Sequence, residues 1–148
     1  MIEEILKLDN QLCFSIYACS KEIIRLYRPF LEPLNLTYTQ YITLLALWEK
    51  DDVSVKNLGD KLYLDSGTLT PLLKKLEDNG YIQRKRSQED ERKVVIKLTE
   101  KGINLKEEAL KIPHKMFCAT GLSPDSALKL REELKSVLSQ IKTLNKES

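Results

Sequence analysis

Between Val55 and Leu98 two short helical patterns are followed by two β patterns joined at a charged tip, and few folds accept that order. Val55, Leu58 and Leu62 recur at helical spacing. A second helical segment follows at once, Asp65-Ser66-Gly67-Thr68-Leu69-Thr70-Pro71-Leu72-Leu73-Lys74-Lys75-Leu76-Glu77. Asp65 or Ser66 can cap its start, and Asn79-Gly80 supplies a left-handed stop. Pro71 lies awkwardly inside it, either close to the first turn or at a kink. Next come Tyr81-Ile82-Gln83-Arg84-Lys85-Arg86, a polar tip over residues 87–93, and Val94-Val95-Ile96-Lys97-Leu98, where apolar residues alternate as in a half-buried strand. Two short helices and a β-hairpin are the sequence form of a winged helix-turn-helix, expected here over about 53–98. The second helix suits a DNA major groove, and the basic hairpin suits the phosphate backbone or minor groove.

The chain has 148 residues, a net charge of only +2, 42% hydrophobic and 31% charged residues. Such a charge does not predict nucleic-acid binding by itself, so placement has to carry that reading. Arg84, Lys85 and Arg86 share one strand, with Arg92 and Lys93 at the tip. A solvated hairpin is the plain alternative; the position on a wing favours DNA. Base readout is expected from Ser66, Thr68 and Thr70, and phosphate contact from Lys74 or Lys75. On the wing, Arg84 and Arg86 complete the set. Arg92 is expected to enter or flank the minor groove, oriented by Asp90.

Outside this unit the pattern is helical. A long helix is expected from about Leu6 to Leu31, bent or ended by Pro29 and Pro33. Thr37 to Glu49 is so widely apolar that a central core helix is expected. Thr99 opens another helix toward Ile112, which Pro113 interrupts, and Ser123-Pro124-Asp125 starts the last one. There Ala127, Leu130, Leu134, Val137, Ile141 and Leu144 form a heptad seam. It serves either a dimer or packing against the first helix, and the dimer is preferred because these modules commonly read two half-sites as a symmetric pair. The expected architecture is mainly α with a small β-hairpin wing (α+β). It is a single domain over 1–148 with dimerisation helices at about 6–31 and 99–146.

No apolar run nears the roughly 18 residues of a membrane span, and the acidic start is unlike a signal peptide, so a cytoplasmic protein is expected. Cys13, Cys19 and Cys118 have no framework spacing, and one histidine without a Cys-x-x-Cys pair predicts no metal site. No cofactor is called for.

Several strings are more specific than a generic helix-turn-helix. Leu8-Asp9-Asn10-Gln11-Leu12-Cys13-Phe14, Leu36-Thr37-Tyr38-Thr39-Gln40-Tyr41, the stretch from Leu62 through Asp65-Ser66-Gly67-Thr68-Leu69-Thr70-Pro71 to Lys74, and Asp90-Glu91-Arg92 resemble the MarR family. More narrowly they resemble its organic-hydroperoxide-sensing repressors, the OhrR group, over about Leu8 to Leu138. The resemblance implies a MarR-like homodimeric repressor on pseudo-palindromic operator DNA. Its reactive cysteine maps to Cys13 and its tyrosines to Tyr17, Tyr27 and Tyr38. Cys118 matches the resolving cysteine of the two-cysteine subgroup; Cys19 has no counterpart.

The chemistry at Cys13 follows the same lines. A peroxide-sensing cysteine reacts as thiolate and needs donors or positive charge nearby. No Lys or Arg lies within a turn, so tyrosine hydroxyls are the expected donors. Tyr17 shares the helix face of Cys13. Tyr27 is fourteen residues on, about 21 Å along one helix, so only the cysteine of a second subunit is within its reach. Leu12, Phe14 and Ile16 make an apolar setting suited to an organic hydroperoxide. Cys19 is expected to be inert core, whereas Cys118 is open between resolving thiol and packing. Three other readings compete: a repressor released by a small phenolic or amphipathic ligand, with Cys13 incidental; a broader oxidation-sensing global regulator; and a thiol peroxidase, against which the basic wing argues. No catalytic residue is expected.

Overall fold

The computed structural model describes residues 1–147 and forms two compact units, Met1–Ile112 and the segment from Pro113 onward. In the first, α1 (Ile2–Ile5) is followed by a 3-10 turn at Leu8–Asn10, α2 (Leu12–Leu31), a 3-10 turn at Glu32–Leu34 and α3 (Tyr38–Glu49). The helix expected from about Leu6 thus starts only at Leu12. Side-chain amides cause the break. Asn10 Nδ2 donates to the Glu4 carbonyl at 2.7 Å and Gln11 Nε2 to the Ile5 carbonyl at 2.6 Å, closing the end of α1 and turning the chain. Pro29 does not end α2, which runs on to Leu31, while Pro33 sits in the 3-10 turn.

Helix α3 begins with a capping box: Thr37 Oγ1 accepts from Gln40 N, and Gln40 Oε1 accepts from Thr37 N. Tyr41, Thr43, Leu44 and Leu47 are almost fully buried, so α3 is the core helix the sequence predicts. After it come β1 (Val53–Ser54), α4 (Val55–Leu62), α5 (Ser66–Asp78), β2 (Ile82–Arg86), β3 (Val94–Leu98) and α6 (Glu100–Ala109). The sheet order is β1-β3-β2, all antiparallel, with Val53 and Arg84 on either side of Ile96. Strand β1 was not expected, and it makes β3 central while β2 remains an edge.

The winged region is fastened at several points. Asp65 Oδ1 accepts from Thr68 N at 2.7 Å and caps α5. Leu69, Leu72, Leu73 and Leu76 form the buried stripe of α5, each contributing about 2 kcal/mol by transfer from water. Pro71 lies in the second turn, and the helix continues through it. Gly80 ends the segment at φ +81°, a backbone that glycine adopts without strain. Gly102 is needed for space, since a Cβ there would lie 2.2 Å from the Tyr81 carbonyl oxygen. The same close approach lets Trp48 Nε1 donate to the Gly102 carbonyl at 2.9 Å, pinning α6 to α3.

The single helix expected from Thr99 to Ile112 is instead α6, closing at Ala109, and a new start at Ile112. Pro113 falls in the first turn of α7 (Ile112–Thr120), where a missing N–H costs nothing. Helix α8 (Pro124–Glu147) follows, with Ser123 Oγ accepting from Ser126 N at 3.2 Å. Its seam is uncovered in the single chain: Leu130, Leu134, Val137, Ile141 and Leu144 are 41–63% exposed.

Candidate nucleic-acid interface and thiol site

The outward face of α5 is polar because its apolar stripe points inward. Ser66, Thr68, Thr70, Lys74 and Lys75 are all exposed. Hydrogen bonds from Thr68 hold the Asp65 carboxyl below the usual carboxylate range, so the cap is a fixed negative group at the helix start. Pro71 lacks an N–H and leaves the Gly67 carbonyl without its helical donor on this exposed face.

The wing tip is built by its own polar groups. Asp90 Oδ1 accepts from Arg92 N at 3.0 Å and lies 3.6 Å from Arg92 Nε, while Lys93 N donates to the Asp90 carbonyl at 2.9 Å. Asp90 therefore orients Arg92, whose side chain is 94% exposed and projects from the tip. The other two wing arginines differ. Arg86 Nη1 donates to the Glu91 carbonyl at 2.8 Å and braces the tip. Arg84 Nε and Nη2 both donate to Glu77 Oε1, at 3.1 and 3.0 Å, and its backbone N–H to Glu77 Oε2 at 2.9 Å. These contacts hold the Glu77 carboxyl below its ordinary range. The guanidinium expected on DNA is engaged within the protein, and sequence reasoning missed Glu77 because helix end and strand meet only in the fold. Between α4, α5 and the wing opens a cleft of about 740 Å³ whose lining includes Lys56, Asp60, Thr70, Arg84, Arg92 and Lys93.

The thiol site is assembled differently. With α2 starting at Leu12, Cys13 stands in its first turn, where free backbone N–H groups and the helix dipole favour negative charge. That source of stabilisation was hidden while the helix was placed from Leu6. Cys13 is exposed, and among the described residues no hydrogen bond reaches it. Tyr17 is exposed too; its hydroxyl accepts from Lys21 Nζ at 3.4 Å and its ring packs near Phe14. Tyr27 and Tyr38 come together, ring centroids 4.9 Å apart, with the buried Tyr41 at 5.6 Å from Tyr27. Burial, then the neighbouring Tyr38 and Tyr41, pushes the Tyr27 hydroxyl up to about 12. Burial likewise raises Tyr38 and Tyr41, so the cluster keeps its protons as donors. Tyr41 was legible as a core position only.

Cys118 is exposed in the last turn of α7, with His114 Nε2 3.7 Å from its sulfur, a partner one turn back that the sequence reading passed over. Cys19 is also exposed, so within one chain it does not take its expected place in the core. Among the described residues no group of His, Cys, Asp and Glu could hold a metal ion, and no helix is long and apolar enough to cross a membrane.

The family model for the transcriptional regulator SarA/Rot matches residues 25–109. The chain is 52% identical to the organic hydroperoxide resistance transcriptional regulator of Bacillus subtilis over 139 residues, covering 94% of this chain and 90% of that protein. Among solved structures, reduced AbfR bound to DNA is similar at 36% identity and TM-score 0.77, covering 95% of this chain and 99% of the other. Disulfide-formed AbfR is similar at 37% identity and TM-score 0.60, covering 93% and 97%. The chain is thus a transcriptional regulator rather than an enzyme, a member of the MarR family in its organic hydroperoxide resistance (OhrR) group.

Proposed function

We propose that the protein is a homodimeric, cytoplasmic repressor that holds pseudo-palindromic operator DNA when reduced and releases it when an organic hydroperoxide oxidises Cys13. One observation carries this reading. The Cys13 thiol is exposed and has no hydrogen-bond partner among the described residues, while Tyr27, the protonated donor beside Tyr38, is fourteen residues further along the same helix, about 21 Å away. They are two halves of one site, and only a second copy brings them together. Similarity to a regulator solved both reduced on DNA and in a disulfide form supports the same reading.

The thiolate of Cys13 attacks the terminal peroxide oxygen. The O–O bond breaks, the alkoxide leaves as alcohol after taking a proton, and Cys13 becomes a sulfenic acid. The thiol of Cys118 from the partner subunit then attacks that sulfur, a disulfide forms and water departs. A disulfide requires Cα atoms within about 7 Å, so closing it moves local structure and shifts the paired wings. On DNA, Ser66, Thr68 and Thr70 read bases, Lys74 and Lys75 meet phosphates, and Arg92, set by Asp90, reaches the minor groove.

The test is operator release by cumene hydroperoxide, followed with and without dithiothreitol and on non-reducing gels. Cys13→Ser should bind DNA and ignore peroxide. Cys118→Ser should still be oxidised, stopping at sulfenic acid or a mixed disulfide with a small thiol. A crosslinked dimer that persists in Cys118→Ser and vanishes in Cys19→Ser defeats the pairing and makes the exposed Cys19 the resolving thiol.

A further inference from the structure

Arg84 is the basic residue of the wing that its own protein occupies most fully. Two of its three guanidinium nitrogens and its backbone N–H are directed at the two oxygens of a single carboxylate, Glu77. Both side chains are about one-third exposed, at 32% and 34%, whereas that of Arg92 is 94% exposed. Glu77 lies in the last turn of α5, the end of a helix where a negative side chain is disfavoured by the dipole. Helix propensity therefore does not explain the carboxylate. Its partners do: β2 is an edge strand, the Arg84 N–H points off that edge, and Glu77 both caps the N–H and takes the guanidinium.

The position of the pair matters for recognition. Arg84 lines the cleft between α4, α5 and the wing, together with Lys56 and Asp60 from α4, Thr70 from α5, and Arg92 and Lys93 from the tip. A phosphate backbone lying against both elements would pass the mouth of this cleft. A free arginine there would bind it whatever the base sequence, because phosphate contacts add affinity without information.

We propose that Glu77 is a specificity-determining residue of the DNA interface: it withholds Arg84 from the phosphate backbone and so keeps non-specific binding low. This rests on the reading that α5 and the wing meet DNA, and goes beyond it by assigning to one wing arginine the opposite role from Arg92. The carboxylate subtracts one phosphate contact per wing from every sequence equally, which leaves a larger share of the affinity to the base contacts of α5.

The experiment measures binding to two duplexes, one selected from a random pool by the wild-type protein and one of scrambled sequence, at 50 to 200 mM salt. Glu77→Gln keeps an amide oxygen for the Arg84 N–H, so the strand edge stays capped while the charge that holds the guanidinium is gone. It should bind the scrambled duplex severalfold more tightly, and its salt slope should steepen by about 0.9 per wing, about 1.8 for a dimer with both wings on DNA, an extra loss of roughly twelvefold across that salt range. The ratio of selected to scrambled affinity should fall severalfold. Glu77→Gln/Arg84→Gln should return the slope to the wild-type value. Glu22→Gln, which frees Arg25 on α2 with the same change in net charge, should leave it unchanged.

An unaltered slope in Glu77→Gln overturns the proposal. So does a steep slope that persists in the double variant, or one reproduced by Glu22→Gln, since net charge alone would then explain it. Equal weakening on both duplexes with a lowered melting temperature would reduce the pair to a support of the fold. Wild-type protein that binds neither duplex in a salt-dependent way would instead overturn the underlying reading of α5 and the wing, and the proposal with it.

Discussion

The winged region and the flanking helices are finished to different degrees by one copy of the chain. Around α5, β2 and β3 the leucine stripe is buried, Asp65 caps the helix, Asp90 ties the tip and Arg84 has a carboxylate to itself. On α2 the side chains of Leu12, Ile16, Ile23 and Ile24 lie 38–71% exposed, and α8 presents its seam uncovered. Apolar surface on that scale in a chain that can otherwise bury a core marks a place where another molecule belongs. Cys13 falls in the unfinished part. On the proposed reading, a sensor built where the chain is incomplete would couple its chemistry to the arrangement of two subunits, and so to the spacing of two wings, while the contacts within α5 and the wing are complete in one copy.

Charging the seam would break this comparison most severely. Leu134→Asp should place an unpaired carboxylate in the subunit interface, at a cost of roughly 3 kcal/mol or more per protomer. Sedimentation at micromolar concentration should show monomer where the wild type shows dimer, and high-affinity operator binding should disappear. The winged part, being complete in one chain, should keep its helical circular dichroism and weak, salt-sensitive DNA binding. Complete unfolding of the variant would show that this region is not self-sufficient, and a wild type that sediments as monomer would remove the cross-subunit tyrosines altogether.

What the sequence revealed divides along the same line. Apolar content and periodicity were enough for α3, α4 and the hairpin, and for α5 and α8 local signals helped, because Asp65, Gly80 and Ser123 act on residues within a turn or two. The break before α2 was not legible, since Asn10 and Gln11 reach carbonyls six residues back and leave no mark on apolar spacing. Strand β1 has two residues, too few to alternate. For the sites, Asp90 beside Arg92 was readable as a local pair. Glu77 with Arg84 required a helix end and a strand to be folded together, and the first-turn position of Cys13 depended on a helix start that spacing had put at Leu6.

A smaller change sharpens the comparison at the tip of the wing. Arg92→Ala removes an exposed guanidinium whose one ion pair among the described residues is with Asp90. Operator binding should weaken by about 1–3 kcal/mol, roughly 5- to 150-fold, with the melting temperature unchanged. Because Arg86 braces the tip through Glu91, Arg86→Ala should instead lower affinity together with order in the hairpin, seen as broadened amide resonances over residues 87–93. Identical affinity of Arg92→Ala and wild type at several salt concentrations would remove Arg92 from the interface.

The smallest effect lies in the tyrosine cluster and needs alkaline pH to appear. Tyr27 titrates near 12 in the folded chain because burial, Tyr38 and Tyr41 all disfavour its phenolate, against about 10 in an unfolded one. The folded state therefore holds the proton more tightly. Its contribution is fully present below pH 10 and is lost as pH rises from about 10 to about 12. At pH 11 the loss should be about 1 kcal/mol, since one pKa unit corresponds to roughly 1.4 kcal/mol. Chemical denaturation of wild type and Tyr27→Phe at pH 9 and pH 11 isolates this term, because lysines and other groups titrate alike in both. The variant should lose less stability between the two values, and the flattening should grow if Tyr38→Phe is added. Parallel losses in wild type and variant would mean that the Tyr27 hydroxyl is solvated like an ordinary phenol, and a solvated phenol has no special standing as a donor to a thiolate.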